Sequence, residues 1–189
     1  MIKSLSNLSE WLAEITISAF AYGALFYLNS WLTSSLVFGI GVSWIYLPAG
    51  LRLFLTLIFG LPAAIGIALA SFLASYFGEF PQDLIICIGI ALISGFSPYF
   101  ASLLVLKHAH LEIGLANLSL QKLMLCILVF AICSAGLHQW WFTFMGLDDA
   151  GTWDHFFVMM LGDILGSLFL IAIIKYGIDL FKESRKTVR

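Results

Sequence analysis

The sequence predicts an all-α, polytopic transmembrane helical bundle of about six spans, on three observations. Of 189 residues, 61% are hydrophobic and only 11% charged, with a mean hydropathy of +1.02. A soluble domain carries about 25% charged residues and needs them to cover its surface, so lipid must solvate most of this one. No Asp, Glu, Lys or Arg occurs between Glu14 and Arg52, Arg52 and Glu79, Asp83 and Lys107, or Lys122 and Asp148. Such runs match or exceed the roughly 20 apolar residues of one crossing. Finally, the basic residues collect at alternate ends of these runs, as the positive-inside rule requires.

The spans fall at about 12–30, 40–59, 62–77, 84–106, 122–143 and 156–178, in one integral membrane domain covering 1–189. The polar start, 1–10, holds Lys3. The apolar run after it is longer than a signal-peptide core and lacks an obvious cleavage site, so it reads as a retained first span. Segment 31–61 is interrupted by Gly39, Gly41, Pro48, Gly50, Gly60 and Pro62. It reads as one broken span or as a re-entrant segment, and such backbone is tolerated at membrane depth only where protein or a wet cavity covers it. Ser97-Pro98 interrupts the fourth span, where proline frees a backbone carbonyl and can kink the helix. In the sixth, the run from His155 to Ile174 is broken only by Asp163.

Orientation follows from lysine and arginine. Lys107 and Lys122 bound one connection, and Lys182, Arg185, Lys186 and Arg189 lie in the tail. The connections near Glu79–Asp83 and Asp148–Asp154 are acidic and hold no basic residue. This places both termini in the cytoplasm, an N-in/C-in topology, with Arg52 the one basic residue off that side. Trp11, Trp31, Trp44, Trp140, Trp141 and Trp153 sit near span ends, as an aromatic belt would. Cys87, Cys126 and Cys133 lie in apolar runs without C-x-x-C spacing and read as packing residues.

Arg52 is the most informative residue. An arginine facing lipid at mid-span costs about 2.5–3.5 kcal/mol on insertion scales. It therefore snorkels, forms a structural ion pair or contacts a ligand. Asp163 is its natural partner, and helical rise places the two together in the outer half of the bundle. Gly162 and Gly166 form a G-x-x-x-G, and Gly66, Ala70 and Ala74 repeat the small-residue spacing; both are packing signals, and the first leaves homodimerisation open. His108 and His110, near Glu112, read as a solvated loop, since zinc needs four ligands. His138 and His155 flank an acidic connection with Asp148, Asp149 and Asp154 and read as loop residues, with cation binding or pH response as the alternative. Lys175 and Asp179 have the spacing of a helical pair. No catalytic set, cofactor motif or metal motif is present, so enzyme activity is not expected. Nothing resembles a basic stripe for nucleic acid.

Trp44-Ile45-Tyr46-Leu47-Pro48-Ala49-Gly50, followed by an apolar helix and Phe59-Gly60-Leu61-Pro62, resembles the Trp…Pro…Gly opening of the bacterial membrane-associated sensor domains of the MASE type. Gly162-Asp163-Ile164-Leu165-Gly166 is similar to the G-D-x-x-G of that family's last span. Segment 107–122, leading into Leu123, Leu125 and Leu128, is similar too. The resemblance implies an inner-membrane sensory module, with Trp44, Pro48, Gly50, Gly162, Asp163 and Gly166 at motif positions. Such modules usually precede a cytoplasmic kinase or cyclic-dinucleotide enzyme. Here about ten residues follow the last span, which implies action through a separate cytoplasmic or membrane partner. The expectation is a multi-pass sensor-like module of the inner membrane, with a small pocket at Trp44, Arg52 and Asp163. The alternatives are a substrate-binding membrane subunit of a small-molecule transporter and a structural partner of a membrane complex.

Overall fold

The computed structural model describes residues 2–78, 80–108, 119–147 and 151–187. Among these, six α-helices carry the fold: α1 Ile2–Leu32, α2 Leu47–Phe59, α3 Leu61–Tyr76, α4 Leu84–His108, α5 Leu120–Phe144 and α6 Trp153–Thr187. Four contain stretches long and apolar enough to cross a membrane: Leu8–Leu32, Leu84–Lys107, Leu120–Phe144 and Trp153–Gly177. Length and composition are those of a multi-pass membrane protein. The distribution of residue types agrees. Phe20, Ile85, Phe100, Leu104 and Ile173 are exposed, while Ser18, Ser94, Ser102, Ser134 and Ser167 are buried. A water-soluble protein reverses that arrangement.

The second predicted span is the one the structure redraws. Only Leu47–Phe59 of residues 40–59 is helical, 13 residues, or about 20 Å at 1.5 Å per residue. The preceding residues form a short antiparallel hairpin, β1 Val37–Gly39 with β2 Val42–Ser43, in which Val37 pairs with Ser43 and Gly39 with Val42. Gly41 turns the chain at φ +67°, a backbone region that glycine enters without steric cost. One residue anchors the hairpin: Val42 is 1% exposed and packs with Ala135 of α5 and Val158 and Met159 of α6, while Val37, Phe38 and Ile40 are exposed. The helix is thus interrupted here, and the non-helical backbone finds partners in the rest of the bundle. Physically, Gly39 and Gly41 within an apolar run weaken the helix, and Pro48 is tolerated at a helix start but not in its interior.

Helix α2 reverses into α3 at Gly60, whose φ is +63°, and Pro62 opens α3 in its first turn. Helix α3 is 16 residues, about 24 Å. Close helix contacts explain its small residues. A Cβ on Gly66 would strike the Ile15 carbonyl oxygen of α1, and one on Gly95 of α4 would strike that of Ala64. Asp83 caps α4 by accepting from the Ile85 and Ile86 amides at 2.7 and 3.1 Å, and the helix continues through Pro98. Ser119 caps α5. The neighbours run α1, α3, α4, α5, α6, and α2 touches all five from the middle. Its Ala49, Leu53 and Leu57 join Ala101, Val105, Cys126, Ile127 and Phe130 in the largest apolar cluster.

Candidate functional site

Helix α2 lies along α6 in the same direction, and the two glycines of α6 allow the approach. A Cβ on Gly162 would meet the Ser43 carbonyl oxygen, and one on Gly166 the Tyr46 carbonyl. Gly50 answers from α2, where an added Cβ would stand 2.7 Å from Ser167 Cα. The G-x-x-x-G therefore packs against the chain's own segment 43–47 rather than another helix. That face is covered and unavailable for the homodimer the spacing left open. Pro48 sits in the first turn of α2, buried, where it forgoes no helical hydrogen bond.

The backbone entering α2 finds its partners outside any helix. The Tyr46 amide donates to the Gly162 carbonyl at 3.1 Å, and the Leu47 amide donates to Asn29 Oδ1 of α1 at 3.0 Å. Tyr46 thus stands level with Gly162, about 14 Å along α6 from Trp153. Arg52 lies a further turn and a half on. The hairpin thus sets α2 back along α6, and the pair lies well away from the start of α6.

Arg52 and Asp163 do meet. Arg52 Nη2 donates to Asp163 Oδ1 at 3.3 Å, with the two side chains 2% and 1% exposed. The guanidinium lies over two rings, Tyr46 at 5.3 Å and Phe130 at 5.2 Å, and such contacts strengthen when desolvated. Tyr46 in turn shares a 3.0 Å hydrogen bond with Tyr22 of α1. Ser134 of α5 stands beside Asp163. Its carbonyl accepts from His138 Nδ1 at 2.8 Å, and His138 Nε2 meets Ser94 Oγ of α4 at 3.3 Å. A buried polar line thus crosses the bundle from α4 through α5, α6 and α2 to α1. It is incomplete at Arg52 Nε, which is buried with no hydrogen-bond partner, while the Ser134 hydroxyl acts on the Asp163 carboxylate.

Two sequence expectations change. Trp44 is not part of this centre. Its ring rests edge-on against Phe38 and is 43% exposed; the neighbouring aromatic, Tyr46, covers the guanidinium instead. His138 is not a loop residue, because α5 continues to Phe144 and keeps it 3% exposed. His155 lies in the first turn of α6, hydrogen-bonded to Thr152 at 2.6 Å and packed on Phe38. His110, Glu112, Asp148 and Asp149, and the side chain of His108, lie outside the described residues. Tyr22, Asn29, Phe130 and Ser134 had no signal in the sequence, since each is ordinary in an apolar helix. Lys175 and Asp179 form no ion pair; among the described residues that contact belongs to Arg52 and Asp163. A cavity of about 390 Å³ begins beside the pair at Gly50 and Ser167 and runs toward the end of α6; Trp44, Arg52 and Asp163 do not line it. No protein-family model, curated protein or solved structure matches the chain.

Proposed function

We propose that this chain is a sensor-like module of the bacterial inner membrane. It crosses six times with both termini in the cytoplasm, and the hairpin and α2 together make the second crossing. A small polar ligand at the Arg52–Asp163 centre changes how α2 rests on α6. The last helix carries that change to a separate partner at its basic end. One observation carries the reading: Arg52 Nε is buried without a hydrogen-bond partner, beside an Arg52–Asp163 contact of 3.3 Å, within one buried polar line. Buried polar groups are almost always paired, and a small molecule offering an acceptor would pair this one. The likeness of the Gly162–Gly166 segment to sensor modules supports the same reading.

Thermal unfolding of the detergent-solubilised protein against a panel of small polar metabolites tests it. The expected result is stabilisation by one compound class, lost in Ser134→Ala and Asp163→Asn. A photo-crosslinker at Lys182 should capture a discrete partner in cells. If an Arg52→Met/Asp163→Leu chain folds and every ligand response and phenotype persists, the centre is merely structural. A reporter placing the carboxyl end outside the cell would overturn the topology alone.

One observation favours a transport subunit instead. The amino end of α2 starts inside the bundle, and transporters use such half-helix ends, with their partial positive charge, at substrate sites. Uptake of a labelled compound into vesicles carrying the protein would decide for that reading.

A further inference from the structure

The cavity beside the polar centre has its own chemistry. One wall is α2, where Gly50, Leu53, Phe54 and Leu57 fall at the i, i+3, i+4, i+7 spacing of a single helix face. The other is α6, through Ser167, Ile171 and Ile174, and Leu123 of α5 closes the side. The walls are in contact at the closed end, where Gly50 approaches Ser167, and part beyond it. From Ser167 to Ile174 the apolar stretch runs about 11 Å, close to the roughly 15 Å of hydrocarbon in one leaflet. At its open end the lining turns polar, with Lys175, Asp179 and Lys182. Neither lysine is paired with Asp179. The groove therefore has an apolar slot about 11 Å long, somewhat shorter than one leaflet, and a mouth whose lining side chains carry net positive charge.

We infer that this groove holds one anionic phospholipid from the leaflet at the α6 carboxyl end, with an acyl chain between α2 and α6 and the phosphate between Lys175 and Lys182. The argument is charge complementarity at a fixed depth. Basic pockets between helices at a membrane face select anionic head groups, and a zwitterionic lipid would bring a second cation to a mouth that is already positive. Asp179 lies between the lysines and disfavours a second negative charge, so a single phosphate fits better than a multiply charged head group. The inference needs the chain to be embedded in lipid. It does not need the sensor reading or the assignment of sides.

Native mass spectrometry of the full chain, released from nanodiscs of mixed phosphatidylglycerol and phosphatidylcholine, tests it. One retained phosphatidylglycerol per chain is expected. Lys175→Gln/Lys182→Gln should reduce the preference over phosphatidylcholine about fivefold. Ile171→Trp should fill the slot and remove retained lipid of both kinds. Circular dichroism shows whether each variant keeps its helices, and Leu123→Trp is the second slot-filling variant should Ile171→Trp not fold. Equal retention of the two lipids by the unaltered protein would overturn the inference. So would lipid retention unchanged in a folded slot-filling variant, or a second copy of the chain occupying the groove in place of lipid.

Discussion

The route from Thr33 to Phe59 and the helix α5 cross similar depths of the same bundle by different means. In α5, 25 residues satisfy their own backbone, and a single serine caps the start. In the broken route, the backbone reaches for others: the Trp44 amide to Leu36, Tyr46 to Gly162 and Leu47 to Asn29. A continuous helix needs only apolar side chains to live in lipid. A broken one needs particular partners at particular places, because each unpaired backbone group away from water costs several kcal/mol. Specific chemistry therefore concentrates where the helix is interrupted. Arg52, Asp163, Gly162, Gly166 and Asn29 all serve the broken route, whereas α5 contributes mostly surface, with Phe130 and Ser134 turned toward it.

Substitutions can break that contrast, starting with the ion pair. Removing one partner leaves the other charge buried, so Asp163→Ala should cost about 3–5 kcal/mol in thermal or denaturant unfolding. Arg52→Met/Asp163→Leu should recover much of that loss; if the double variant is as unstable as the single, the pair is not the source. Next come the glycines. Gly166→Ala drives a methyl into the Tyr46 carbonyl and should cost about 1–3 kcal/mol. Gly136→Ala in α5 meets nothing nearer than a Phe156 ring carbon at 3.8 Å and should gain up to about 1 kcal/mol from helix propensity. Opposite signs at these two glycines, read by the same melting experiment, would sharpen the contrast; equal effects would erase it. Asn29→Ala removes the acceptor for the Leu47 amide and should cost about 1 kcal/mol. The smallest effect belongs to the lipid face: Ile173→Ala, exposed on α6, should stay within about 0.5 kcal/mol.

Much of this was legible before the fold. Charge-free runs located α3, α4 and α5 and the apolar parts of α1 and α6 to within a few residues, since the transfer of a side chain into lipid depends mainly on its own chemistry; α1 and α6 themselves extend to Ile2 and Thr187. The glycines and prolines of 31–61 announced an interruption, though they did not distinguish a hairpin from a re-entrant turn. Arg52 and Asp163 were paired correctly because a charge with no water must find its opposite. Trp44 was a reasonable candidate and the wrong aromatic. Two residues further on, the chain turns Tyr46 rather than Trp44 toward the guanidinium, and residue spacing in a non-helical segment says nothing of direction. His138 looked like a loop residue because its run ends only a few residues later, at Asp148. It lies within the predicted span 122–143, and it is buried because its ring faces the bundle, a direction that its distance from the next charge does not give.

By itself, the sequence determined that these helices belong in lipid, where most of them run, and that one cation and one anion must be hidden together, because each of these follows from the local cost of placing a group in hydrocarbon. The tertiary structure alone decided that a hairpin precedes α2, that the glycine pair of α6 receives backbone rather than a helix, and that Tyr46, Phe130 and Ser134 surround the charges. Those choices depend on which groups arrive beside one another when distant segments pack, and no single segment carries that information.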